Sequence, residues 1–157
     1  MNRILTICAA AALGATPVLA QEAAAPTGDA AAGEKLFRQC QSCHVVRDDE
    51  GNTLAGRNGK TGPNLYGLPG RPAGSVEDYR YSKAMEAAGE EGLTWDEAHF
   101  VGFVQDPSGY LKEYLDDSGA RSKMSFRMRS EEDAANMWAY LVSLSPEAEG
   151  SETGSGN

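Results

Sequence analysis

The sequence predicts an all-α domain of about five short helices joined by long loops, spanning residues 29–145 of 157. Three observations predict it. Apolar residues recur at spacings of three and four in several windows, residues suited to N-capping stand just ahead of those windows, and no stretch shows a convincing alternation of period two.

At the N-terminus Met1-Asn2-Arg3 gives a positive start, Ile4 to Leu13 an apolar stretch and Val18-Leu19-Ala20 a small-residue end, so residues 1–20 are expected to be a secretory signal peptide. The apolar run is shorter than the ~20 residues a membrane-spanning helix needs, and Gly14 and Pro17 break it. A lipoprotein reading on Cys8 is disfavoured by the bulky Ile7 before it and the very short stretch upstream. Cleavage after Ala20 leaves 137 residues, enough for one domain with a modest core. Residues 21–28 read as a flexible lead and 146–157 as a disordered acidic tail.

Asp29 is a good N-cap for a first helix running to about Cys43, with Gly33, Leu36, Phe37 and Cys40 on one face. Gly33 on that face predicts the close approach of another helix. Ser82 caps a short helix ending near Gly89. Thr94 and Glu97 form a capping box for a helix through Gln105 that buries Phe100, Phe103 and Val104. Asp106-Pro107 stops that helix and starts another, to about Leu115. Ser130 and Asp133 open the last helix, with Ala134, Met137, Leu141 and Leu144 as its apolar stripe. From Val45 to Arg80 the chain is rich in turn residues, and so long a loop argues against an ordinary hydrophobic core.

The cysteines explain that loop. Loss of Cys8 with the signal leaves Cys40 and Cys43, in the pentad Cys40-Gln41-Ser42-Cys43-His44. A redox disulfide at this spacing belongs after a strand in an α/β fold, and nothing near Cys40 reads as one. A zinc site needs about four ligands, and His44 and the distant His99 lack a finger-like spacing. The pentad is instead the attachment signature of a c-type haem. On a helical turn, two thiols three residues apart reach the two vinyl groups on one porphyrin edge, and the adjacent histidine is delivered beneath the iron. A large planar apolar group then gives the long loops something to wrap.

His44 takes one axial position, and the other decides between electron transfer and ligand chemistry. The candidates are His99, Met85, Met124, Met128 and Met137. Met137 and Met85 read as packing residues, and His99 as an exposed or hydrogen-bonded histidine. Met124 and Met128 both remain open, with Met124 favoured because it lies on a loop and is flanked by Lys123 and Phe126.

Across nearly the whole mature domain the sequence resembles the class I cytochrome c family, most closely small exported bacterial carriers of the cytochrome c2 type. The resemblance rests on Gly33 and Phe37, on the haem pentad, on Thr61-Gly62-Pro63-Asn64-Leu65-Tyr66-Gly67 with Gly70-Arg71, on Tyr79-Arg80-Tyr81-Ser82 and Gly92-Leu93-Thr94-Trp95, on Lys123-Met124-Ser125-Phe126, and on Trp138-Ala139-Tyr140-Leu141. It implies one covalent haem c wrapped by the class I fold, with the Pro63 carbonyl accepting the imidazole N–H of His44. It further implies that Tyr81 and Trp95 donate to a buried propionate with Arg71 nearby and that Met124 is the sulfur ligand; beside Met124, Phe126 is placed to cover the haem edge. Phe103 departs from the pattern, standing where many relatives have a tyrosine. The loops from Val45 to Lys60 and from Ser108 to Arg121 are longer than in the shortest relatives.

Removing Arg3 with the leader leaves 13 of the 14 basic residues against 23 acidic ones, a net charge of −10, which makes nucleic acid an unsuitable partner. Arg121, Lys123, Arg127 and Arg129 nevertheless crowd the methionine loop with no acid between them. The implied role is a monomeric periplasmic one-electron carrier with no enzymatic chemistry. It would move electrons from a quinol:cytochrome c reductase to a terminal oxidase, reductase or photosynthetic reaction centre. A basic rim around the haem edge would meet acidic surfaces on those membrane complexes transiently.

Overall fold

Asp29 turns its carboxylate back onto the N–H groups of Ala31 and Ala32, at 2.7 and 3.2 Å, and so starts the first helix. The computed structural model describes residues 25–146; the expected signal peptide, residues 21–24 of the lead and all but Pro146 of the tail lie outside them. Helix α1 runs Ala30–Leu36, the chain tightens into a single 3₁₀ turn at Phe37–Gln39, and a short antiparallel hairpin comes next, β1 (Val45–Arg47) and β2 (Thr53–Gly56). Four helices complete the described residues: α2 (Lys83–Glu90), α3 (Glu97–Gln105), α4 (Pro107–Tyr114) and α5 (Glu131–Ser143).

Two boundaries and one element differ from the sequence reading. The first helix stops at Leu36 rather than near Cys43, because the Cys40 N–H reaches back only three residues, to the Phe37 carbonyl at 2.8 Å. Asp96, not Thr94, caps α3, its carboxylate accepting from the His99 N–H at 2.7 Å. Thr94 is occupied elsewhere, bridging to Pro72 in extended pairing. The hairpin has no counterpart in the sequence reading. Its strands pair Val45 with Gly56 and Val46 with Ala55, and the intervening turn is held by the Asp48 carboxylate, which accepts from the N–H groups of Glu50 and Asn52. The last residues of the expected lead already touch the domain, the Thr27 N–H donating to the Glu97 carboxylate at 3.0 Å.

Helices α1 and α5 cross in close contact, and Gly33 permits it. A Cβ at Gly33 would lie 2.0 Å from the Asn136 carbonyl oxygen and 2.7 Å from the Tyr140 Cβ. The crossing is pinned by the buried Asn136 side chain, which accepts from the Asp29 N–H at 2.7 Å. Beside it the rings of Phe37 and Tyr140 meet edge to face at 5.7 Å. Backbone cannot swing aside as a side chain can, so Gly33→Ala should push the helices apart. The expected loss is about 1–3 kcal/mol or more, read as a lower denaturation midpoint of the haem-loaded protein. An unchanged midpoint would mean that the crossing has room for a methyl group.

The core lies where α3 and α5 pack together, with Leu111 of α4 and Leu141 of α5 fully buried. On its other flank the segment around Arg71 runs beside the one around Trp95. Bonds from the Ala73 N–H to the Leu93 carbonyl (2.8 Å), from the Trp95 N–H to the Arg71 carbonyl (3.0 Å) and from the Gly70 N–H to the Trp95 carbonyl (2.8 Å) fix the two. That pairing carries Arg71 and Trp95 to one wall of a large cavity.

Candidate functional site: an apolar cavity walled by Cys40, Cys43 and His44

The turn after the 3₁₀ segment is helical in pitch. The Cys40 carbonyl accepts from both the Cys43 N–H (3.0 Å) and the His44 N–H (2.9 Å), so the two thiols and the imidazole are delivered within one turn to the cavity wall. Both cysteines are free thiols. Burial, and then the neighbouring Cys43 charge, push the Cys40 thiol up to about 11, so at neutral pH it is protonated. Among the described residues no group of three or more His, Cys, Asp or Glu is placed to hold a metal ion.

The His44 ring is held from two directions. Its Nδ1 lies 2.9 Å from the Pro63 carbonyl oxygen, which can only accept, so Nδ1 carries the proton and Nε2 keeps its lone pair. Burial keeps the imidazole below its ordinary pKa, against the opposing effect of the Pro63 bond, and this favours the neutral ring that a metal requires. Gly62 lies flat on the imidazole; a Cβ there would come within 2.3 Å of Cε1. The loop itself is tied back by the Gly62 N–H on the Cys43 carbonyl (2.8 Å) and the Leu65 N–H on the Val45 carbonyl (2.9 Å).

The other residues assigned to the haem from the sequence also line this cavity: Pro63, Arg71, Tyr81, Trp95, Met124 and Phe126. Arg71 donates to the Tyr66 carbonyl at 2.8 Å and the Asn64 carbonyl at 3.1 Å. Burial lowers its pKa and the nearby Tyr81 partly offsets this; burial raises that of Tyr81. Trp95 is buried and meets the Phe103 ring edge to face at 5.2 Å. Phe126 sits partly in solvent at the rim. Met85, Met128 and Met137 are buried and reach the cavity as well, whereas His99 does not line it and is bonded to Tyr110.

Sequence reasoning assigned no role to Asn64 or Tyr79. Asn64 clamps the loop, its side chain accepting from the Arg47 N–H at 2.9 Å and donating to the Arg47 carbonyl at 2.7 Å. Tyr79 donates its hydroxyl to the Thr61 carbonyl at 2.8 Å and lies under the Lys123 ammonium, whose Nζ also donates to the Arg80 carbonyl. Only their place in turn-rich segments hinted at these roles. The basic cluster is also less free than its sequence suggested, because Arg127 pairs with Asp106 at 2.8 Å across solvent. An exposed pair of this kind contributes at most about 1 kcal/mol, but it cancels one charge of the rim.

A cavity walled by Leu65, Leu68, Phe100, Phe103, Val104 and Leu141 would be costly to leave facing water, which fits a large apolar group. Two thiols and a neutral imidazole on one turn give that group its covalent and axial anchors. The donor chemistry therefore fits a haem.

Comparison with known proteins points the same way. Residues 30–145 match the family model described as Cytochrome c. The chain is 61% identical over 118 residues to cytochrome c2 of Rhodovulum adriaticum, covering 75% of this chain and 94% of that protein. It is 54% identical over 140 residues to cytochrome c2 of Cereibacter sphaeroides, covering 88% and 93%. Among solved structures, cytochrome c2 from Rhodobacter sphaeroides superposes with a TM-score of 0.74 at 56% identity, covering 74% of this chain and 96% of that one.

Proposed function

The chain belongs to the cytochrome c family, a haem c electron carrier and not an enzyme, and from that premise we propose how its residues do the work. Cys40 and Cys43 hold the haem through thioether bonds, His44 and Met124 ligate its iron, and the chain carries one electron at a time between membrane redox complexes. The observation that supports this most directly is the convergence of Cys40, Cys43, His44 and Met124 on one apolar cavity.

When bound, the haem supplies a reversible ferric/ferrous couple, which a histidine and methionine pair of ligands places at high potential. The protein does the rest. Pro63 fixes the tautomer of His44, and Gly62 fixes its ring plane. The apolar walls exclude water and disfavour the additional positive charge of the ferric state. Arg71, Tyr81 and Trp95, all on the cavity wall, would supply donors and a compensating charge to polar haem substituents. Phe126 and Lys123 border the rim, so the partly exposed edge is where a redox partner would approach.

In this reading residues 1–20 are a cleaved export signal and the carrier works as a monomer in the periplasm. It accepts an electron from a quinol-oxidising complex and passes it to an oxidase, a reductase or a photosynthetic centre. The test mixes the purified haem protein with membranes of its own source. Quinol should reduce it and an electron acceptor should reoxidise it, with both rates falling severalfold or more as salt screens the basic rim. Lys123→Gln should slow both rates more than Arg127→Gln, because Asp106 already offsets Arg127. Turnover indifferent to ionic strength would sink the electrostatic docking, and no turnover would sink the carrier role.

A further inference from the structure

Asn58 and Gly59 stand in an irregular stretch between β2 and the loop that carries Pro63. The Asn58 side chain is exposed, and its Oδ1 accepts from the Arg47 guanidinium, Nη2 lying 3.3 Å away. Arg47 is itself held by its Nε on the Thr53 hydroxyl at 3.4 Å. Gly59 lies flat on the turn that bears the second thiol and the imidazole. A Cβ there would come within 2.6 Å of the Cys43 carbonyl carbon and 2.7 Å of the His44 backbone nitrogen. Among the described residues no acceptor takes the Gly59 N–H.

An asparagine amide can be attacked by the backbone nitrogen of the residue that follows it, closing a five-membered ring. The attack is easiest when that residue is glycine, which puts no side chain in the way and leaves the backbone free to turn. It needs a nitrogen whose proton can leave, and it is helped by a donor on the amide oxygen, where negative charge develops. Asn58 has all three. The other asparagines among the described residues do not. Asn52 has its amide held by Asp48 and Glu50 and is followed by β-branched Thr53. Asn64 is bound at both ends to the Arg47 backbone, and the N–H of the next residue, Leu65, is already taken by the Val45 carbonyl. Asn136 is buried in α5.

From this geometry we infer that Asn58-Gly59 is a self-modifying site, at which the folded protein converts asparagine to aspartyl and isoaspartyl linkages with Arg47 assisting. The Gly59 nitrogen bonds to Cγ of Asn58 and the Cγ–Nδ2 bond breaks. The Gly59 proton leaves with the side-chain nitrogen as ammonia, and a succinimide remains. Water then opens the ring. Breaking the new bond to Cγ leaves an ordinary aspartyl residue, and breaking the main-chain bond instead leaves an isoaspartyl link through Cγ. In both, the water oxygen ends in a carboxylate, one of its protons returns to the Gly59 nitrogen and the other goes to solvent. Either product puts a negative charge beside Arg47, and the isoaspartyl one also adds a carbon to the backbone. That carbon enters next to the residue lying on Cys43 and His44, so ageing at this site reaches the turn that anchors the haem. The added negative charge favours the ferric state and lowers the reduction potential. The modification is independent of the haem reading, and only its effect on the potential rests on it.

The test incubates the haem-loaded protein in heavy-oxygen water and follows its asparagines by peptide mass spectrometry. Asn58 should lose ammonia and gain solvent oxygen, faster in alkaline than in neutral buffer, while Asn52, Asn64 and Asn136 stay intact. Asn58→Gln keeps the acceptor for Arg47 but needs a six-membered ring, so it should convert severalfold more slowly or not at all. Arg47→Gln should slow the parent reaction by about tenfold, less than the roughly hundredfold loss of a buried donor to a developing oxyanion. The reduction potential should be lower in the aged parent than in the fresh one. Fresh Asn58→Asp should show part of that fall, from charge alone, and aged Asn58→Gln should show none. An Asn58 that stays intact, or converts no faster than Asn52, overturns the site, and an unchanged rate in Arg47→Gln overturns the role of Arg47. Conversion that leaves the potential unmoved overturns the coupling to the haem turn. The mass readout needs no haem, so failure of the haem reading is seen separately.

Discussion

Replacing Cys40 and Cys43 together by serine is expected to give a chain that binds no covalent haem and does not hold its fold. The thiols lie three residues apart on one turn at the cavity wall, and serine preserves their size and polarity while removing the sulfur that makes a thioether. The loss of fold then comes from burial. Phe103, Val104, Met128 and Leu141 are each less than a tenth exposed, yet all face the cavity, so much of the core depends on whatever fills it. A domain of this size is stable by only about 5–15 kcal/mol, and opening several large apolar side chains to water costs about 1.5–3 kcal/mol each. An empty cavity therefore consumes most or all of the stability. Acidified-solvent extraction should remove any haem from the double variant and none from the parent, and the variant's far-ultraviolet circular dichroism should show little helix. Haem that stays with the serine chain through extraction would refute the attachment at these cysteines.

The legible parts of this fold were those whose signals are local. Asp29, Ser82, Asp106 and Ser130 cap the helices predicted for them because a capping side chain bonds N–H groups only two or three residues ahead. Where two capping residues competed within three positions, the nearer one won: Asp96 took the α3 cap, and Thr94 went to pairing with Pro72, which lies 22 positions away and leaves no trace in a short window. The hairpin was missed for a related reason. Its strands are three and four residues long, Val45 and Val46 are both buried, and no alternation develops. The cavity divides in the same way. Its cysteines and His44 fall within five residues and could be read from spacing and chemistry, whereas Pro63, Arg71 and Tyr81 are spread along the 57–82 connection and Trp95 lies in the 91–96 one, and all four were reached only through family resemblance. Tyr110 meets His99 across two helices; the sequence allowed a hydrogen-bonded His99 but could not name its partner.

The sharpest discrimination left at the cavity is between the two methionines, and they should respond in opposite ways. Met124 sits on an irregular segment, half-buried, its N–H held by the Ser122 hydroxyl at 3.0 Å and its neighbour Lys123 anchored to the Arg80 carbonyl. A thioether on such a loop can be set at the iron without moving a helix. Met128 is buried in the core and its N–H is bound to the Val104 carbonyl of α3 at 2.8 Å, which makes it part of the packing. Met124→Ala should accordingly fold, lose the sulfur-to-iron absorption band of the ferric protein, fall in reduction potential and bind carbon monoxide rapidly when reduced. Met128→Ala should keep that band and resist carbon monoxide, but lose about 2–5 kcal/mol of stability, the usual cost of truncating a buried methionine. Measured side by side, the two variants separate ligation from packing, because each readout should move in one and stay in the other. A band that survives Met124→Ala and disappears in Met128→Ala would transfer the ligand to Met128, with the 121–126 loop left as a cover for the haem edge.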